Sequence, residues 1–309
     1  MNNYGDGIDF VLVSYTTPEY VKQCIKSINL FFDNIPKNIY VVCNYTDKEK
    51  ELDTLTTMLN DDVIVLEGID QNKTTVITEN SFTQSGTKIG KLDGNVTGMG
   101  SYYGAWAINI GIKAGNRKYV CHVHQDSIFL NECADELMKL TEKYCFISNR
   151  WDPGTLFKEA SDRKTELGMA RPMMLFTRRE FYDDIESENY VENGIWYSSP
   201  INVDWRDECG NLTWYAQQKG KEFLILPNTY WFEDKRKKYN IHYDEIKYWH
   251  RSRDEHVLPL NEAENEQCWL ENKPIHFHHG RGGYRGGKDR IQKWIDVTNE
   301  YFINIGEYE

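Results

Sequence analysis

Ile8-Asp9-Phe10-Val11-Leu12-Val13-Ser14 is a nearly continuous apolar run. Such runs mark strands covered on both faces, as in parallel sheets. Thr17-Pro18-Glu19 follows, with Thr17 suited to cap a helix and Pro18 to its first turn. Val21, Cys24, Ile25, Ile28 and Phe31/Phe32 then recur at helical spacing. A second strand spans Asn38 to Cys43, a short helix Glu49 to Leu59, and a third strand Asp62 to Leu66. Strand, helix and strand in alternation predict an α/β fold with a parallel sheet and right-handed crossovers.

Farther along, Gly68 to Gly100 is polar and rich in Thr, Gly, Asn and Lys, which reads as a functional or mobile loop or as an element that periodicity does not reveal. Ser101 to Ala114 reads as a helix stopped by Gly115-Asn116. Then comes Lys118-Tyr-Val-Cys-His-Val-His-Gln-Asp-Ser-Ile-Phe-Leu130, with His122, His124 and Asp126 at alternate positions. In a strand these three share one face. An imidazole and a carboxylate converging at a strand end can hold a divalent cation. The apolar neighbours imply burial, and buried ionisable groups are costly unless paired or bound to a metal. Two readings stand, a metal site and a structural hydrogen-bond network.

The second half is less regular. Glu132 to Lys143 reads as a helix and Phe146 to Ser148 as a short strand. Arg171 to Thr177 and Glu222 to Leu226 read as strands, the latter ended by Pro227. Asn211 to Lys219 reads as a helix with Gly220 as its C-cap. Tyr239 to Asn272 is polar and is expected to wrap the surface. Lys288 to Ile303 reads as a closing helix. With no repeat, low-complexity tract or linker, residues 1–309 are expected to form one domain.

The composition, 40% hydrophobic and 14% aromatic, is that of a globular chain. A net charge of -12 argues against a nucleic-acid partner, which wants a positive face. The seven cysteines are odd in number and lack any CxxC, so neither a disulfide framework nor a zinc ribbon is expected. No signal peptide or transmembrane segment is visible, and a cytoplasmic location is expected.

The series Gly100-x8-Asn109-x-Gly111, Ala114-Gly115, Lys118-Tyr119-Val120 and His124-Gln125-Asp126 resembles the central segment of GT-A fold glycosyltransferases. In that family a strand ends in an Asp-x-Asp motif that holds a divalent metal on the diphosphate of a nucleotide sugar. Here His124 stands in place of the first Asp. The order of elements is similar over roughly residues 8 to 280. The resemblance implies a Rossmann-like, mostly parallel sheet flanked by helices. A nucleotide-sugar half is expected at about 8–130, an acceptor half at about 131–275, and a C-terminal His/Gly/Arg loop and helix at 276–309.

The resemblance also implies roles. His124 and Asp126, with His278 or His279 from Pro274-Ile-His-Phe-His-His-Gly-Arg-Gly-Gly283, become candidate ligands for Mn²⁺ or Mg²⁺. Ser14, Tyr15, Asp47, Asn109 and Gln125 become candidate contacts to a UDP- or GDP-sugar. Arg281 and Arg285, set among glycines, would grip its diphosphate. Asp207 or Glu208, with Asp204 as a rival, would serve as base toward a carbohydrate acceptor hydroxyl. Trp196, Trp205 and Trp214 are candidates to stack an acceptor sugar. Each role has a plainer counterpart: exposed histidines at 276–279, a flexible loop at 280–287, a surface acidic cluster at 204–208, and core tryptophans. A nucleotidyltransferase remains an alternative, although Ser14 to Pro18 lacks the glycine and basic residue such enzymes carry. A non-catalytic glycan-binding protein is another. A zinc hydrolase would want HExxH-type spacing, which is absent.

Overall fold

A computed structural model describes residues 4–60, 62–70, 99–152, 169–187, 210–229, 251–260, 262, 265–280 and 287–306. The elements run β1 (Gly5–Ser14), α1 (Pro18–Phe31), β2 (Lys37–Tyr45), α2 (Lys48–Met58), β3 (Val63–Asp70), α3 (Met99–Ala114), β4 (Arg117–Val123) and β5 (Ser127–Phe129). They continue with α4 (Ala134–Leu140), β6 (Phe146–Asp152), β7 (Met169–Arg178), α5 (Arg179–Ser187), α6 (Gly210–Gln218), β8 (Leu224–Ile225), β9 (Glu266–Leu270), β10 (Lys273–His278) and α7 (Gly287–Asn304).

Seven strands form one sheet in the order β3-β2-β1-β4-β7-β6-β8. The four strands from β3 to β4 run parallel, β7 is antiparallel to both neighbours, and β8 is parallel to β6. The fold is therefore α/β, with a mostly parallel central sheet flanked by helices. Side-chain alternation explains the two faces. Ile8, Phe10 and Leu12 of β1 point into a core with Val21, Cys24 and Ile28 of α1 and Leu137 of α4. Val11 points the other way, toward Ile108 and Ile112 of α3 and residues of α5 and α6. Gly111 lets α3 lie close on the sheet, since a Cβ there would run into Val11 Cγ1.

A smaller sheet, β5-β10-β9, is antiparallel throughout. Tyr20 of α1 and Trp294 and Phe302 of α7 cover it in a third core with Ile128 and Phe277. This sheet corrects the expectation for Tyr239 to Asn272: β9 lies inside that stretch, and all five of its residues are buried. Polar Glu266 and Gln267 hide the strand from a hydropathy reading. The run expected to continue from β4 also divides. The chain leaves the large sheet at Val123, turns through His124-Gln125-Asp126, and enters the small sheet at Ser127.

Asp9, inside the first apolar run, is fully buried. Its carboxylate accepts from Arg179 Nη2 at 2.6 Å, Arg117 N at 2.7 Å and Asn38 Nδ2 at 2.7 Å. Arg179 also donates to the carbonyls of Ile112 and Arg117 at 2.6 and 2.8 Å. One guanidinium thus ties the end of α3 to the starts of β1 and β4, and a buried charge that is paired and fully hydrogen-bonded is tolerated.

Candidate metal and donor site

The winding of the large sheet locates the site. From β1 the chain moves outward through β2 and β3, then returns to place β4 on the other flank of β1. Open α/β sheets bind ligands outside the carboxyl ends of the strands where the order reverses. At that point lie Ser14, the last residue of β1, with Tyr15-Thr16 after it, and His124-Gln125-Asp126, after β4.

His124, Asp126 and His278 converge there. One ligand atom from each lies within 4.8 Å of the others. His124 Nδ1 is 3.8 Å from Asp126 Oδ1, and His278 Nε2 is 3.3 Å from the same oxygen. Two ligand atoms on one ion, each bonded at about 2.1 Å, stand about 3.0–3.4 Å apart, so the three need little movement to share a cation. The register sets this up. β10 is the middle strand of the small sheet, and His278 faces Ser127 of β5 on one side and Glu266 of β9 on the other.

Glu266 was missed in the sequence, because an acidic residue in a polar stretch gives no signal. It is fully buried, and its Oε1 lies 2.9 Å from His278 Nδ1. Arg150 Nη1 stands 3.7 Å from that oxygen. A carboxylate behind a histidine fixes the ring's tautomer and turns the other nitrogen toward a metal. The donor set therefore fits a divalent cation.

Electrostatics agree with the geometry. Burial alone would raise the Asp126 carboxyl, but the neighbouring His278, His124 and His279 hold it well below the usual carboxylate range. Burial works against a charged His278, yet Asp126 and Glu266 push it up to about 9. Asp126 and Glu266 thus favour a charged His278, and a cation at Nε2 would take the place of its proton. His122 and His276, both buried, are held well below the ordinary histidine value, first by desolvation and then by nearby imidazole charge.

His279 does not join the cluster. Its Nδ1 lies 2.9 Å from Asn265 Oδ1, and its Nε2 accepts from Arg290 Nε at 3.1 Å. The ring stacks on Trp294 at 4.9 Å and 7°. Burial, then the Arg290 guanidinium, lower its pKa to about 4. Its part is structural, since its main-chain N–H donates to the Asp126 carbonyl at 2.8 Å and fastens the end of β10 to the turn. The late histidines are buried, not a solvent-exposed group.

The remaining candidates separate. Ser14 is buried and Tyr15 half-buried at the end of β1. The Gln125 carboxamide accepts from Tyr15 N at 3.1 Å and donates to Tyr15 O at 3.3 Å. Asn109 is buried on α3. Asp47 is exposed and caps α2, accepting from Lys50 N at 3.3 Å. Asp204, Trp205, Asp207, Glu208, Trp196, Arg281 and Arg285 lie outside the described residues, as does the side chain of Trp214.

No family model and no curated protein matches the chain. Among solved structures, the chain is similar to a fragment of S. aureus TarS, 12% identical over 71% of this chain and 58% of that one, with a TM-score of 0.36. The chain therefore spans less than two thirds of that structure. It is also similar to the galactosyltransferase LgtC in complex with donor and acceptor sugar analogs, 8% identical over 94% of this chain and 95% of that one, with a TM-score of 0.44. An active-site mutant of LgtC gives 7% identity and the same TM-score of 0.44. Likeness at this level carries no weight for function; the site's own geometry does. Among the described residues, no helix is long and apolar enough to cross a membrane.

Proposed function

We propose that this chain is a metal-assisted glycosyltransferase of the GT-A kind, moving a sugar from a nucleotide-diphosphate donor to a carbohydrate hydroxyl. The observation that carries this reading is the place of the His124–Asp126–His278 cluster, at the carboxyl ends of β1 and β4 where the strand order reverses. That crevice suits a nucleotide, and a cation held there suits its diphosphate. When bound, the cation would act as a Lewis acid on the leaving diphosphate. Two imidazoles in the donor set favour Mn²⁺ over Mg²⁺, which prefers oxygen ligands and water.

The other roles follow from the chain's own residues. His124, Asp126 and His278 hold the cation, and Glu266 orients His278. Ser14 and Tyr15 border the nucleotide side. Arg281 and Arg285 add cationic donors toward phosphate, and Asp207 or Glu208 takes the acceptor proton. These last four assignments rest on sequence order. The division into a nucleotide-sugar half at 8–130, an acceptor half at 131–275 and a closing segment at 276–309 belongs to the same proposal.

A thermal-shift panel of UDP- and GDP-sugars with Mn²⁺ or EDTA tests the reading. A donor that stabilises the protein with Mn²⁺ but not with EDTA, and that is slowly hydrolysed, supports it. Mn²⁺ binding with no response to any donor would leave a cation site without the transferase.

A further inference from the structure

The exit from β1 is strained. Thr17 N donates to Tyr15 O at 2.9 Å across a single intervening residue, so Tyr15 to Thr17 form a γ-turn centred on Thr16. Thr16 has φ +61°, in the left-handed region. A γ-turn with positive φ is rare, and for a β-branched residue this backbone is an outlier. Glycine would adopt it at little cost, yet Ser14-Tyr15-Thr16-Thr17 contains none. Thr16 is exposed, so packing of its own side chain does not hold it. Strained residues persist where the surroundings over-determine them, and they gather at ligand sites.

The surroundings here are specific. Three donors converge on the Tyr15 carbonyl: Thr17 N at 2.9 Å, Thr17 Oγ1 at 3.3 Å and Gln125 Nε2 at 3.3 Å. The Tyr15 N–H in turn donates to Gln125 Oε1 at 3.1 Å. The carboxamide therefore pairs with Tyr15 in both directions, as a neighbouring strand would, across 110 positions of sequence. Gln125 itself stands between His124 and Asp126.

We infer that Gln125 is a positioning residue of the donor site: its carboxamide grips the Tyr15 main chain and keeps the strained turn at Thr16 formed, so that the nucleotide meets a preset wall beside the cation ligands. The inference rests on the donor-site reading above. It makes Gln125 act through Tyr15, not through the donor.

Three variants of the full chain test it: Gln125→Ala, Thr16→Gly and the double variant. Amide exchange at Tyr15 and Thr17 is read in the metal-free protein, and calorimetry reads UDP and GDP affinity with Mn²⁺. Gln125→Ala should speed exchange at both amides by about tenfold and weaken nucleotide binding by about tenfold, equivalent to about 1.4 kcal/mol. Mn²⁺ binding alone should stay unchanged. Thr16→Gly should bind nucleotide about as well as the parent. In the double variant glycine takes the turn without strain, so Thr17 protection and most of the affinity should return. Unchanged exchange in Gln125→Ala would overturn the inference. So would an affinity loss that Thr16→Gly fails to rescue, because Gln125 would then touch the nucleotide itself. If neither UDP nor GDP binds the parent, the donor reading falls, while the exchange data separately report whether the clamp holds the turn.

Discussion

Glu266 and His278 face each other as direct cross-strand partners on β9 and β10, and their side chains meet at 2.9 Å with almost no solvent exposure. The pairing register therefore decides which histidine nitrogen looks toward Asp126. Losing this kind of outer carboxylate commonly weakens metal binding by about 10–100-fold. Glu266→Gln is expected to lower Mn²⁺ affinity by about tenfold and Glu266→Ala by more, as read by calorimetry on the folded protein. Parent-like affinity in both would reduce Glu266 to a packing residue.

Among the described residues, Asp126 is the one carboxylate of the candidate cation cluster. Asp126→Asn keeps its shape and removes its charge, so metal-dependent donor binding should disappear while circular dichroism stays that of the parent. Donor affinity that is unchanged in the presence of Mn²⁺ would remove Asp126 from the site.

The histidines give stability an optimum in pH. His278 is raised to about 9 in the folded protein, so it binds more protons folded than unfolded. Its contribution is complete below about pH 6.5 and is lost as pH rises toward about 9. His279 is lowered to about 4 and behaves oppositely. Its contribution is complete above about pH 6.5 and is lost as pH falls. His122 and His276 are also lowered and add to that acid-side loss. Asp126, held low, adds a further loss below about pH 3.9. Urea denaturation in EDTA should peak near pH 6.5; His278→Gln should lessen the Asp126 loss in acid, since His278 holds that carboxyl low, and should flatten the alkaline limb. A limb that persists in that variant would contradict the assignment.

Far from the site, Arg179 and Asp9 form a buried pair at 2.6 Å. Removing one partner strands the other, at a cost of about 3–5 kcal/mol. Arg179→Leu should therefore lower the denaturation midpoint sharply. Gly115→Ala should do so as well, since a Cβ there would run into Asp9 Oδ2. A midpoint within experimental error of the parent for Arg179→Leu would show the pair to be dispensable.

Legibility in the sequence followed hydrophobicity. β1 to β4 were readable because strands covered on both faces are apolar along most of their length. The β9–β10 hairpin was hidden because Glu266, Gln267, His276 and His278 are polar yet buried, Glu266 against His278 and Gln267 against the main chain of Glu255 and Val257, and hydropathy does not record burial of this kind. His124 and Asp126 could be linked because they sit two residues apart. His278 was within reach through its family resemblance, but Glu266 had no local mark. His279, equal to His278 in composition, differs only because the strand ends between them and sends its ring toward Asn265 and Trp294.

The turn from Val123 to Ser127 is a corner between two sheets, and this orders events during synthesis. Chains fold from the N-terminus as they emerge. β1 to β4 can pair early, but the cation cluster lacks its third ligand until β10 has been made and has docked on β5. Such non-local contacts form late. A nascent chain therefore carries His124 and Asp126 without His278, and capture of the proposed cation would report that β10 has found its place.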